Sequence, residues 1–233
     1  MYLAGVSVRR VEDITEALVA IGVGADGYRQ ILGVAEGQKE DLEGWRGFLR
    51  HLNDRGLKTP RLIISDACRG LVEAALELYS DARWQRCVVH FYRNVFSHAP
   101  NSKIAGVARM LKAIHAQEDR SAADTKTREV VAKLRAMKLP AAAELLETKG
   151  HETLTYYEFP TNPWRQLRTN NPLERIIREI RRRTRVVGAF PEGHSALMLV
   201  AARLRHIVST RWGKRRYLAM ETLLNPVHQE VAA

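Results

Sequence analysis

A mixed α/β fold class follows from three features of the sequence. Residues 19–35, VAIGVGADGYRQILGVA, are two apolar runs around Gly24-Ala25-Asp26-Gly27, the pattern of a β-hairpin. An amphipathic helical stripe then leads to a short apolar run, Arg61 to Ser65, followed by Asp66 and another helical stripe, an alternation that builds parallel sheet. From Ser102 onward the apolar period is helical and stays so.

Taken in order, residues 7–18 predict a short amphipathic helix, with Ser7 as its cap and Val8, Val11, Ile14 and Leu18 on one face. Ala20 to Val23 then reads as a strand, although no Gly, Pro, Asn or Asp separates the two elements. Asp26 precedes Gly27 and reads as a turn residue rather than a ligand. Leu42, Trp45, Phe48, Leu49 and Leu52 make a helical stripe over Glu40 to Arg55, ended by Gly56. Asp66 has two readings: a ligand at the carboxyl end of a buried strand, or the N-cap of the helix that carries Leu71, Ala75 and Leu78. Trp84 to Val89 predicts a further strand, leading into His90 and a helix over 91–98.

Cys87 and His90 stand in Cys-x-x-His spacing. A closed zinc site takes about four ligands, and no second Cys/His pair is suitably spaced, so a packing or geometric role is favoured. Two long stripes follow, one through Ile104, Val107, Leu111 and Ile114, the other through Val130, Val131, Leu134 and Met137. Pro140 then starts an alanine-rich helix ending near Gly150. Ala196 to Val208 predicts an apolar helix, followed by the basic patch Arg211 to Arg216 and a tail from Asn225.

The most informative stretch is residues 169–188, TNNPLERIIREIRRRTRVVG. Asn171 suits an N-cap, Pro172 the first helical position and Glu174 the third. At about 100° per residue, Leu173, Ile176, Ile177 and Ile180 share one face, while Glu174, Arg178, Arg181 and Arg185 share a neighbouring one. Asn-Pro-Leu-Glu also matches a capping box, in which Glu174 does no chemistry. The other reading is a metal-ligand carboxylate beside arginines that hold a phosphate backbone. Local sequence leaves both open.

Charge separates the thirds of the chain. Basic against acidic residues number 13 and 13 in residues 1–100, 10 and 8 in 101–164, and 14 and 5 in 165–233. Most of the net charge of +11 therefore lies in the last third, and there it is almost all arginine, whose planar fork suits phosphate. Nucleic acid is the expected partner, with the arginine helix (Arg178, Arg181, Arg182, Arg185) as the contact surface. No apolar run approaches the roughly 18 residues of a membrane span. In MYLAGVSVRR the arginines follow the apolar patch, the reverse of a signal peptide, so a cytoplasmic location is expected. Cys68 and Cys87 are too few for a disulfide framework and suit a reducing compartment.

Four strings carry a family resemblance: LIISDACRGL around Asp66, WQRCVVHFYRNVFSHAP with Cys87 and His90, MLKAIHAQE, and RTNNPLERIIREIRRRTRVVGAFPEGHSALML around Glu174. Together they resemble the Mutator-type DDE transposases of bacterial insertion sequences, over residues 19–225. The resemblance implies a ribonuclease H-like core with an all-helical insertion and a helical C-terminal part. It also implies an acidic triad binding two divalent ions, Mg²⁺ in the simplest case, for DNA cleavage and strand transfer. Asp66 matches the family's second aspartate, Glu174 its glutamate, and Cys87 and His90 the signature between them. The implied partners are DNA, as terminal inverted repeats and target in the nucleoid, and further copies of the chain or intact transposase.

The first aspartate is the departure. The family carries it on a first core strand, and no such segment precedes VAIGV here. MYLAGVSVRRVEDITEAL resembles instead part of the family's N-terminal helical DNA-binding region. The division expected is therefore 1–18 as a remnant of that region, 19–100 as the first part of the core, 101–160 as the helical insertion and 161–233 as the closing helices. Joining near Leu18 and Val19 implies an internal deletion, an incomplete sheet lacking its first strand, and impaired strand transfer. A non-catalytic DNA-binding remnant that inhibits intact transposase is the alternative. An exposed sheet edge left by the deletion would also favour aggregation.

Overall fold

The computed structural model describes residues 6–8, 17–36, 41–187 and 193–224. Strands β1 (Val6–Val8), β2 (Ala17–Val23) and β3 (Arg29–Glu36) form an antiparallel meander, β1-β2-β3. The β2–β3 hairpin turns as its sequence requires: Gly27 has φ +81°, and the Tyr28 N–H donates to Asp26 Oδ1 at 3.0 Å. Asp26 is thus a turn residue.

The helix expected over 7–18 is not formed at either end. Val6–Val8 is a strand in register with Leu18 to Ala20, and Ala17 and Leu18 belong to β2; residues 9–16 lie outside the described set. Val-Ser-Val alternates with period two, and β-branched residues suit a ladder once a partner strand is available. β2 runs unbroken through the Leu18–Val19 step, which accounts for the missing punctuation. Pairing with β1 also covers the edge of β2 that the sequence left open.

Helix α1 (Leu42–Asp54) is capped by Asp41, whose side chain accepts from the Gly44 N–H at 2.9 Å, and the chain turns at Gly56 with φ +94°. Strand β4 (Leu62–Ser65), helix α2 (Arg69–Leu78) and strand β5 (Arg83–Arg86) form a parallel βαβ unit. The meander and the parallel pair are separate sheets, and β1 comes within 8 Å of β4 at Cα. The strand expected to reach Val89 ends at Arg86, because Val88 and Val89 already belong to helix α3 (Val88–Phe96). Short apolar runs at a strand-to-helix junction carry no period long enough to tell the two apart.

Helices α4 (Asn101–Ile114), α5 (Arg120–Ala136) and α6 (Pro140–Lys149) follow the expected stripes. A four-residue helix α7 (Trp164–Leu167) precedes α8 (Asn171–Val187), α9 (Gly193–Ser209), α10 (Arg211–Lys214) and α11 (Met220–Leu224). Alternation along the wholly buried β2 divides the packing. Leu18 and Ala20 face α1 and α2, whereas Val19 and Ile21 face Leu173, Ile176, Ile177 and Ile180 of α8 and Val200, Leu204 and Ile207 of α9. Leu62 and Ile64 of β4 join Phe91 and the helices α4 to α6 in a third cluster. α8 is therefore held against the sheet by the apolar face read from its sequence, which fixes where Glu174 and the arginines stand.

Candidate acidic site and basic helix

Asp66 follows β4 directly. It is not a helix cap: α2 begins three residues later and its N-cap position is Cys68. Cys87 follows β5 at the same end of the parallel pair, and its N–H donates to the Ser65 carbonyl at 2.7 Å. Ser65 is tied in further, its hydroxyl donating to the Asp66 carbonyl at 2.7 Å and accepting from Trp84 Nε1 at 2.9 Å. The carboxyl ends of the two strands thus hold Asp66 and Cys87 side by side, where an alternating α/β unit opens to ligands.

Cys87 is fully buried, and burial pushes its thiol pKa up. The N–H groups of Asn170, His90 and Val89 oppose the rise and the nearby Glu174 adds to it. Such a thiol is a packing element and a poor nucleophile. His90 stands in the first turn of α3, and its Nε2 lies 3.5 Å from Glu174 Oε1, with both side chains largely enclosed, 7% and 18% exposed. The Val88 N–H donates to the Arg168 carbonyl at 3.0 Å, anchoring the start of α3 to the segment leading into α8. Asp66 and Cys87 thus end the two parallel strands, and His90 and Glu174 meet close to Cys87.

The start of α8 differs from the sequence reading by one residue. The Asn170 carbonyl accepts from Leu173 N at 2.9 Å and from Glu174 N at 3.1 Å, so Asn170 is the cap and Glu174 falls at the fourth position. A capping box needs the glutamate at the third, and here its carboxylate meets His90 instead. Asn170 is fully buried beside Cys87, and neither its Nδ2 nor its Oδ1 has a hydrogen-bond partner. Sequence reading passed over this residue, whose only signal is its place before Asn171-Pro172.

The basic helix is only partly as read. Arg178 and Arg182 are exposed and Arg181 is half-buried; the side chain of Arg185 lies outside the described residues. Arg182 is engaged, its guanidinium 3.1 Å from Glu179, which also meets Arg183 at 3.5 Å and Arg203 of α9. Arg182 first, and then Arg203, hold the Glu179 carboxyl down at a pKa of about 2 against the opposing effect of burial. Glu179 was missed because an acid among arginines looks like simple spacing, whereas its partner Arg203 lies 24 residues away.

Among the described residues no helix is long and apolar enough to cross a membrane. The profile described as "Transposase, Mutator family" matches residues 16–212. The chain is 41% identical over 206 residues to the transposase for insertion sequence element IS1081 of Mycobacterium tuberculosis, an overlap of 88% of this chain and 49% of that protein. It is 35% identical to the transposase for ISRM5 of Rhizobium meliloti, over 88% of this chain and 52% of the relative. It is 34% identical to the transposase for IS256 in transposon Tn4001 of Staphylococcus aureus, over 79% and 47%. The chain thus spans about half the length of the curated relatives it matches. By this match along most of its length, the chain belongs to the Mutator family of transposases.

Proposed function

We propose that this chain is a DNA-binding transposase by descent, with strand transfer impaired by loss of the family's first catalytic aspartate. What carries the reading is the family match, together with Asp66 at the end of β4 beside Cys87, Glu174 against His90, and a helix that turns Arg178 and Arg182 to solvent. Carboxylates next to a guanidinium track are where a phosphodiester backbone would be both held and cut. A ribonuclease H-like core is supported by an antiparallel meander β1-β2-β3 lying near a separate parallel pair β4-β5, with β1 within 8 Å of β4 at Cα. In that arrangement Val6–Val8 stands in for the strand that an internal deletion removed.

The resemblance implies two divalent ions, and the donor set does not fit them. A two-ion clamp needs carboxylates on several sides to hold cations about 4 Å apart. Val6-Ser7-Val8 carries none, and among the described residues no group of three or more His, Cys, Asp or Glu is placed to hold a metal ion. No cleavage step is therefore assigned to this site. What remains is binding: the arginines grip phosphate, and the chain competes with intact transposase for the same DNA, alone or in a mixed oligomer.

Incubating the purified chain with terminal-repeat DNA and Mg²⁺ or Mn²⁺ tests the proposal. The expected result is retained binding with little nicking. Robust nicking that Asp66→Ala abolishes would overturn the catalytic part, and a DNA affinity indifferent to salt would overturn the binding part.

A further inference from the structure

Beside the first turn of α8, on a side the acidic cluster does not use, lies a cavity of about 320 Å³. Three guanidiniums face it, Arg29 from the start of β3, Arg165 from α7 and Arg175 from α8, together with the rings of Trp212 and Tyr217 and no acidic residue. Like charges gathered around one small space repel, and the repulsion is relieved when an anion enters. Arg29 registers the strain: burial lowers its pKa, Tyr217 opposes, and the neighbouring Arg215 and Arg175 add to the lowering.

Arg29 is also held in place. It donates to the Trp212 carbonyl at 2.5 Å and lies 4.5 Å from the Trp212 ring centre and 4.9 Å from that of Tyr217. Buried polar atoms remain without partners around it: Arg29 Nε, Trp212 Nε1 and Gln166 Oε1, all from residues lining the cavity. Arg165 and Arg175 are exposed, and neither pairs with a carboxylate among the described residues. Fixed donors, unmatched positive charge and aromatic surface are together the chemistry that receives a nucleotide. The volume lies near the lower limit of the roughly 300–1,000 Å³ typical of small-ligand sites, enough for one nucleotide and too small for a base pair.

We propose that this cavity holds a single unpaired nucleotide of a DNA strand, its phosphate between Arg165, Arg175 and Arg29 and its base or sugar against the Trp212–Tyr217 wall. The proposal deepens the DNA-binding reading and rests on it. Position supports a strand over a free nucleotide, because Arg175 follows Glu174 in α8. Arg175, Arg178 and Arg182 recur at helical spacing and are all exposed, so a duplex gripped along α8 leads its strand toward the cavity.

The test uses the full chain with two probes, a blunt duplex and the same duplex ending in a short unpaired tail that contains a fluorescent purine. The tailed probe is expected to bind more tightly, with its fluorescence changed on binding. Arg165→Ala/Arg175→Ala, at two exposed positions, is expected to weaken tail binding about tenfold and leave blunt-duplex affinity nearly unchanged. Equal weakening on both probes would reduce the cavity to part of a general phosphate track and overturn the proposal. A deoxynucleoside monophosphate that binds while tailed and blunt probes bind alike would make it a free-nucleotide site, which also overturns it. Absence of binding to either duplex would sink the DNA-binding reading itself, a result distinct from failure of the pocket alone.

Discussion

His90 Nε2 lies 3.5 Å from Glu174 Oε1, and this one contact joins the first turn of α3 to the first turn of α8. The two residues are 84 positions apart and arrive by different routes. His90 is placed by β5 and its register with β4, Glu174 by the packing of α8 on β2.

His90→Ala removes a largely buried ring and takes away a partner of an enclosed carboxylate. The expected loss is about 1–3 kcal/mol of unfolding free energy, read from urea denaturation midpoints. Glu174→Gln, which keeps the shape and removes the charge, is expected to cost less. If both variants unfold at the midpoint of the unaltered chain, the contact does not tie the two helices together.

His115 predicts an acid limb in stability. Burial chiefly lowers its pKa to about 4, and the ring bonds with Tyr92 at 2.8 Å, the Leu111 carbonyl at 3.2 Å and Thr153 at 3.0 Å. Unfolded, the same residue titrates near its ordinary value of 6.5. Below that pH the unfolded chain binds the proton and the folded chain does not. Stability attributable to His115 is therefore full above pH 6.5, falls as pH drops and levels off below about 4. The span corresponds to roughly 3 kcal/mol. Denaturation midpoints measured across this window are expected to flatten in His115→Gln; an unchanged slope would place the acid sensitivity elsewhere.

Glu179 restrains the basic helix. It engages Arg182, Arg183 and Arg203, so Glu179→Gln frees two exposed guanidiniums of α8 and loosens the link to α9. The expected outcome is tighter DNA binding and a steeper fall of log affinity with log salt, by about 0.9 for each additional phosphate that the freed arginines neutralise. Fluorescence anisotropy over a salt series measures it. The opposite result, weaker binding, would mean that Glu179 positions Arg182 for phosphate rather than diverting it.

The sequence by itself determined what depends on neighbours in the chain. The hairpin turn at Asp26-Gly27, the capped stripe of α1, the helical block from Ser102 and the apolar face of α8 were all legible, because period and turn chemistry act within a few residues. The resemblance to Mutator transposases was legible too, in strings around Asp66, Cys87, His90 and Glu174. Only the tertiary structure decided that Val6–Val8 is a strand, since a three-residue segment takes its form from the partner it finds in β2. It likewise moved the cap of α8 to Asn170, turned Glu174 toward His90, and drew Arg29, Arg165 and Arg175 around one cavity from distant parts of the chain. Such groupings arise from side chains that no period relates, so they exist only once the helices and strands have packed.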